Sequence, residues 1–445
     1  MSDPLLSAWE KTVRRRGNDR AITEAASGQS VTFLELDTRA NIWVSRHASE
    51  AARLSHRAVV AAMPNGIAWI VTFLGLLKSR AIIVPLDAAE PSAAQHRIAE
   101  SLRAGFLWDG AKLIHPPGSS RASRADLCLV KLTSGTTGAP RAIHFRGEQL
   151  LADARQITST MGIIARDLNY ALIPFGHSYG LGNLTIPLLA HGVPVVCGTS
   201  ALPHSIAADF ARWKPTVFPG VPAMWRVLAA SDITLKSLRL GISAGAPLMP
   251  ETAREFVARF GVRLHNFYGS SETGGITYDR SGRATLNGGV GRAMRGVTLK
   301  LSRNSRLEVT SAAVFTHRNP RRRKGIGSWL MADAVAINSG ELTLLGRRGQ
   351  TVKIAGRRVS LFEVAQRLRA IAGVHEVWVG TSVGNEPVLA AVVATTLTVT
   401  ELRTALHADT AAWKIPKKWV LLPALPLTAR GKTDLRTLQA LIDAG

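Results

Sequence analysis

The stretch AVVAAMPNGIAWIVTFLGLLKSRAIIVPLD, residues 58–87, decides the fold. AVVAAMP (58–64) and AIIVPLD (81–87) are short, nearly unbroken apolar runs. Such runs fit strands buried on both faces. Between them Asn65 opens an apolar helix, with the polar stop Lys78-Ser79-Arg80 at its end. Strand, helix, strand at this spacing predicts a parallel crossover and an α/β sheet.

The pattern extends in both directions. Upstream, GQSVTFLELDTRANIWVSRHA (28–48) reads as a short strand and an amphipathic helix starting near Thr32. Downstream, strands are expected at ALIPF (171–175), VPVVCG (193–198), TVFPGV (216–221) and LRLGISAG (238–245). The helix-like runs LTIPLLAHG, AMWRVLAA and PETAREFVARF separate or follow them. After residue 285 the segments GGVGRAMRGVTLKL, RLEVTSAAVF and ELTLLGR read as antiparallel strands. After Arg347 a basic tail (TVKIAGRRVSL, FEVAQRLRAI, HEVWVGTS, PVLAAVVAT) reads as a small α+β domain. The polar connector RRGQ places a hinge at 348–350, between domains 1–347 and 351–445.

With 445 residues and 46% apolar content, the chain is long enough for more than one core. Cys128 and Cys197 sit in apolar runs and read as buried thiols, too few for a disulfide framework or a zinc cluster. The polar, basic start MSDPLLSAWEKTVRRRGND lacks the apolar stretch of a targeting segment, and no run spans a bilayer. A cytoplasmic protein is expected. Fifty-five basic residues against 31 acidic ones give a net charge of +24. That field favours polyanions: nucleic acid, anionic lipid, polyphosphate or an acidic protein. The basic clusters at 11–20, 318–325 and 414–418 lack the aromatic interleaving that reads bases, so no nucleic-acid partner is expected.

The sharpest local signal is LVKLTSGTTGAPRAIHF (129–145). An apolar run ends in Thr133, Ser134, Gly135, Thr136, Thr137 and Gly138, followed by Pro140 and Arg141. Small residues expose backbone N–H groups, hydroxyls add donors, and Arg141 adds a cation. The pattern is no Walker loop. It resembles the signature loop of the AMP-binding, adenylate-forming family: acyl- and aryl-CoA ligases, peptide-synthetase adenylation domains and luciferases. In that family the loop holds the ATP β- and γ-phosphates, and a lysine stands where this chain has Arg141.

Further segments resemble the family in order from about residue 28 to 436. The resemblance implies a large N-terminal domain of mixed sheets with helices and a small mobile C-terminal domain. PFGHSYGLG (174–182) implies that His177 lines the acyl pocket as a steric and polar gate. PTVFPGVPAMW (215–225) offers Phe218, Val221 and Met224 as pocket walls, each also readable as core. ISAGAPL (242–248) implies that Gly245, Ala246 and Pro247 stack on adenine. NFYGSSETGG (266–275) implies that Tyr268, followed by Gly269, covers the adenine. In the same motif Glu272 would hold Mg²⁺, and Thr273 would approach the α-phosphate. Asp333 and Arg347, within WLMADAVAINSGELTLLGRRG, resemble the ribose-binding pair. KIAGRRVSLFEVAQRL (353–368) implies that Gly356 lines the pantetheine route, with Arg357 and Arg358 beside it. LTARGKTDLRTL (427–438) gives Lys432 as the catalytic lysine of the first half-reaction. The chain departs from the common pattern at Ser79-Arg80, where Ala-Gly is usual, at Ala332, where glycine is usual, and at Gln350, where the hinge has Asp or Lys.

The resemblance implies an ATP-dependent ligase that converts an aryl, fatty or hydroxy acid to an acyl-adenylate. A thioester with CoA would follow, or with the phosphopantetheine of an acidic acyl carrier protein. ATP, Mg²⁺ and CoA or phosphopantetheine are the implied ligands. A catalytically silent nucleotide-binding scaffold is the non-enzyme alternative.

Overall fold

The computed structural model describes residues 3–118, 126–133, 141–302, 306–315, 326–347, 351–354, 357–382, 388–407, 410–427 and 433–444. The chain divides into two compact units. One comprises Met1–Lys300, Glu308–Leu330 and Ile337–Thr343; the other comprises Leu301–Leu307, Met331–Ala336 and Leu344–Gly445.

The first unit holds two large sheets. In the six-stranded sheet Phe106–Trp108, Ala58–Ala62, Ile82–Leu86 and Leu129–Thr133 run parallel, in that spatial order. Antiparallel strands Leu113–Ile114 and Arg141–Phe145 close its edges. The predicted crossover is present: Ala58–Ala62, helix Ile67–Lys78, Ile82–Leu86. In the nine-stranded sheet Leu264–Ser270, Leu240–Ser243, Val217–Gly220, Asn169–Ala171, Val195–Cys197 and Arg20–Glu24 run parallel. One apolar core takes Ile22, Ala171 and Val195 from this sheet and Val59, Ile83 and Leu129 from the other. A second core packs Tyr170, Phe210, Phe218, Trp225 and Phe256 beneath the helices Pro203–Trp213, Pro222–Ala229 and Pro250–Phe260.

Two boundaries differ from the sequence reading for one reason. The helix starts at Ile67, and the strand at 171–175 stops at Ala171. The Asn65 side chain instead donates to the Ile173 carbonyl (2.9 Å) and accepts from the Phe175 N–H (2.7 Å). It ties the two segments together, while Glu24 accepts the Ile67 N–H at 2.9 Å and caps the helix. The helix Phe33–Arg46 begins as expected at Thr32, which forms a capping box with Glu35. Cys128 and Cys197 are buried free thiols, and burial pushes both thiol pKa values up.

A four-stranded sheet is formed in chain order by Thr298–Leu301, Arg306–Ser311, Gly327–Asn338 and Glu341–Arg347. In the second unit a hairpin, Thr351–Ile354 with Arg357–Ser360, leads into the helix Leu361–Arg369. The three-stranded sheet Val374–Thr381, Leu389–Thr395 and Lys418–Leu422 follows. Ala391 and Val393 face one core; Ala390, Val392 and Ala394 face another beside the helix Leu435–Ala444. The second unit also takes in Leu301–Leu307 and Met331–Ala336, which the sequence reading placed before the hinge. Among the described residues no helix is long and apolar enough to cross a membrane.

Part of the basic excess is structural. Arg15 and Arg16, in the last turn of the helix Pro4–Arg16, donate to the carbonyls of His191 and Ala165. Lys414 pairs with Glu363 at 2.8 Å. The cluster at 318–325 lies outside the described residues.

Candidate active site

The strand Leu129–Thr133 delivers the chain into the glycine-hydroxyl segment and Arg141–Phe145 receives it. Thr133 and Arg141 are paired across these strands. Ser134, Gly135, Thr136, Thr137 and Gly138 lie outside the described residues. The Arg141 guanidinium sits over the rings of Trp329 (5.1 Å) and Phe315 (5.8 Å), which meet edge to face. A planar guanidinium stacks on such faces better than an ammonium does. The arginine in place of lysine is therefore seated on aromatic rings.

Next to this, the YGSSETGG segment makes a tight turn between Leu264–Ser270 and Gly274–Tyr278. The Ser270 hydroxyl shapes the turn by accepting the N–H groups of Glu272 (3.2 Å) and Thr273 (3.3 Å). The carbonyl of Glu272 accepts the Phe315 N–H at 2.9 Å, so the residue's backbone is fixed and its side chain is half-buried. Gly269 can only be glycine here, because a Cβ would press on the Gly274 carbonyl. Tyr268 is half-buried. Gly245, Ala246 and Pro247 are exposed just beyond the strand Leu240–Ser243, with Gly245 at φ +89°.

The histidine segment meets the same turn. Ser178 Oγ donates to Ser271 Oγ at 2.8 Å. His177 opens the helical run 178–191, and its Nε2 lies 3.2 Å from the Asp87 carboxylate. That distance satisfies an ion pair, but the atoms are not aligned as a hydrogen bond. Tyr179 points inward, donating to the carbonyls of Ile242 (3.1 Å) and Gly220 (3.3 Å). Burial pushes its pKa well up, and its two hydrogen bonds link two strand ends.

Of the three wall candidates, Phe218 is 0% exposed and packs on Tyr170 and Trp225, the core alternative of its reading. Val221 and Met224 keep some surface and remain as wall candidates. Thr273 is also 0% exposed, its hydroxyl held by Ser270 (3.1 Å) and the Gly274 carbonyl (3.1 Å). Its hydroxyl shapes the turn.

The sequence reading passed over one group. Lys131, in the middle of the first strand, is 4% exposed, and its ammonium lies 4.4 Å from the Phe145 ring centroid. Asp153, buried on the helix Gly147–Met161, accepts the Gly275 N–H at 2.9 Å. Burial lowers the Lys131 pKa, with Asp153 and Glu272 opposing that shift by their charge. Burial likewise raises Asp153, opposed by Lys131 and the Gly275 N–H. A lysine inside LVKLT was the available signal, since a charge in a buried strand needs a partner.

Mg²⁺ was expected at Glu272. Among the described residues no group of three or more His, Cys, Asp or Glu side chains could hold a metal. A single half-buried carboxylate suits an ion that arrives with phosphate oxygens. In the second unit Asp333 is 8% exposed in the strand Gly327–Asn338, and Arg347 ends the strand Glu341–Arg347. Gly356 and Lys432 lie outside the described residues.

Residues 108–311 match the family model described as AMP-binding enzyme. The benzoate–CoA ligase of Thauera aromatica is 27% identical over 274 residues, 56% of this chain and 52% of that protein. Tyrocidine synthase 3 of Brevibacillus parabrevis is 24% identical across 93% of this chain, which spans 7% of that protein. The chain thus spans about half, or much less, of the length of these relatives. The ATP-bound crystal structure of MatB from Rhodopseudomonas palustris superposes with a TM-score of 0.85 at 22% identity, covering 99% of both chains. That likeness establishes the mixed α/β fold. The chain therefore carries a domain of the AMP-binding enzyme family, the family that its TSGTTGAPR and YGSSETGG segments resemble.

Proposed function

We propose that the protein joins a carboxylic acid to ATP, releasing pyrophosphate, and then passes the acyl group to the thiol of CoA. The observation that carries the reading is the Ser178–Ser271 bond. It fastens the histidine segment to the YGSSETGG turn, the two segments expected to meet acid and nucleotide. Benzoate–CoA ligase among the relatives makes aromatic acids the first class to test, before fatty and hydroxy acids.

In the first step a carboxylate oxygen attacks the α-phosphorus and the bond to the β-phosphate oxygen breaks. No proton needs to move, because the acid is ionised near neutral pH. The demand on the protein is electrostatic: bringing an anion to a polyanion. Glu272 would hold Mg²⁺, which when bound screens the phosphate charge. Thr133 and Arg141 flank the loop assigned to the β- and γ-phosphates, and Tyr268 with Gly245–Pro247 would enclose the adenine. Asp333 and Arg347 would take the ribose, and Lys432 would bridge carboxylate and α-phosphate oxygens. In the second step the thiol attacks the acyl carbonyl and AMP leaves. Residues 351–445 would turn about 348–350 so that Gly356 guides the thiol. The +24 charge favours a second acceptor, the phosphopantetheine of an acidic carrier protein.

The test is acid-dependent pyrophosphate release with ATP and Mg²⁺, with hydroxylamine trapping the adenylate. Hits are repeated with CoA and with phosphopantetheinylated carrier protein. An acid that drives release and yields a hydroxamate is the expected result. A folded protein that binds ATP yet releases no pyrophosphate across aryl, fatty and hydroxy acids overturns the ligase reading.

A further inference from the structure

Lys131 stands two residues before Thr133 on the strand that enters the phosphate segment. A lysine there is costly. Its side chain is 4% exposed, and no hydrogen bond or ion pair ties its ammonium to any described residue. A buried charge without close pairing is retained in few settings other than functional sites. Backbone alternation fixes its direction. Leu129 faces the core shared by the two sheets, while Val130 faces the opposite side, so Lys131 points with Leu129 between the sheets. There its ammonium lies over Phe145, with the carboxylates of Asp153 and Glu272 within electrostatic reach.

The surroundings are built to keep it there. Asp153 Oδ1 is occupied by the Gly275 N–H, and a Cβ at Gly274 would collide with the same carboxylate. Gly274 is at φ +70°, which also favours glycine. The YGSSETGG turn is thus seated directly on Asp153. Asp153 belongs to the helix, and its Oδ1 accepts the Gly275 N–H of the turn. Glu272 keeps surface.

We propose that Lys131 is a further positioning residue of the nucleotide site, a buried cation that offsets Glu272 and so lowers the electrostatic cost of placing a polyphosphate beside it. The inference rests on the nucleotide reading given above and adds a residue to it. Its signature is dependence on ligand charge. In a low-dielectric setting one lost cation penalises a polyphosphate more than a monophosphate and leaves a neutral nucleoside untouched.

Calorimetric binding of α,β-methylene-ATP, AMP and adenosine, at fixed excess Mg²⁺, tests this on the full chain. Lys131→Met should weaken the ATP analogue about tenfold or more, AMP less, and adenosine not at all. Lys131→Arg should retain most of the affinity for the ATP analogue. Because Lys131→Met strands Asp153, the double variant Lys131→Met/Asp153→Asn is measured beside it. The double variant should recover the melting temperature but not the affinity for the ATP analogue. Equal weakening of all three ligands, no weakening, or recovered affinity in the double variant would show a purely structural pair and overturn the assignment. Wild-type protein that binds none of the three overturns the nucleotide reading as well, which separates the two failures.

Discussion

At the scale of single residues, buried polar groups decide which segments touch. Asp167 is the clearest case: it is 3% exposed and accepts from Arg239 Nε (2.7 Å), the Thr216 hydroxyl (2.9 Å) and the Ile164 N–H (2.9 Å). Burial pushes this carboxyl up, but those hydrogen bonds outweigh it and hold it below the usual range. The sign of the pH effect follows. A depressed folded pKa gives stability that is complete above the unfolded value, about 4, and is lost as pH falls through the lower folded value. Asp167→Asn should cost about 2 kcal/mol at neutral pH, since it weakens a charge-assisted bond to a partly exposed arginine. The gap between variant and wild type should close below about pH 4. Urea unfolding at neutral and acid pH checks both. A gap that stays constant with pH would assign the loss to packing. Such pairings were invisible in the sequence. Asp167 with Arg239 and Asp87 with His177 are joined only by the fold, and no spacing rule marks them. The motif residues were legible because their pattern is local: Gly269 for close approach, Gly245 for its positive φ. Thr273 turns inward because a motif fixes residue order but not which way a side chain turns.

Elements were readable where burial leaves a continuous apolar run, as in Ala58–Ala62 and Ile82–Leu86. Their ends were less so, because a side chain such as Asn65 can take backbone groups away from a helix or a strand. The end of the helix Ile67–Lys78 shows a further conflict. Ala81 N–H donates to the Leu76 carbonyl and Arg80 N–H to the Leu77 carbonyl, the bonding of a Schellman motif. Arg80 is therefore forced to φ +55°, a left-handed position that favours glycine. Its place is where the family pattern has glycine, so the departure there carries backbone strain. Relief of the Cβ clash outweighs the extra chain entropy that glycine gives the unfolded state, and Arg80→Gly should stabilise by about 1 kcal/mol. Thermal melts measure it, and a fall in melting temperature would show that the Arg80 side chain contributes more than the strain costs. Gly75, one turn earlier, gives the opposite case. Alanine there would gain about 1 kcal/mol of helix propensity. Its Cβ would overlap the Trp43 indole, however, and overpacking of this kind costs about 1–3 kcal/mol. Gly75→Ala should therefore destabilise.

For the whole molecule, the two chemical steps make opposite demands. Adenylate formation needs a cation between two anions, whereas thioester formation needs that space opened to a thiol. If the proposed reaction holds, a single rigid arrangement would serve one of these steps at the expense of the other. The proposal assigns the first demand to Lys432 and the second to the segment around Gly356, both read from the sequence. The assignment predicts a split that a general loss of stability would not give. Lys432→Ala should lower the rate of acid-dependent pyrophosphate release by about 100-fold or more, the scale of a lost transition-state charge contact. The same variant, supplied with preformed acyl-adenylate and CoA, should form thioester at close to the wild-type rate. Replacing Gly356 by a bulky residue should invert the pattern, sparing pyrophosphate release and slowing thioester formation. Equal losses in both half-reactions for Lys432→Ala would remove that lysine from its assigned role. Ionic strength adds a discriminating variable. If the acceptor is an acidic carrier protein, its KM should climb steeply with salt because the +24 charge steers the encounter. The pyrophosphate-release rate, set inside the site, should change little over the same range. A flat salt response for carrier loading, together with efficient use of CoA, would fix CoA as the acceptor.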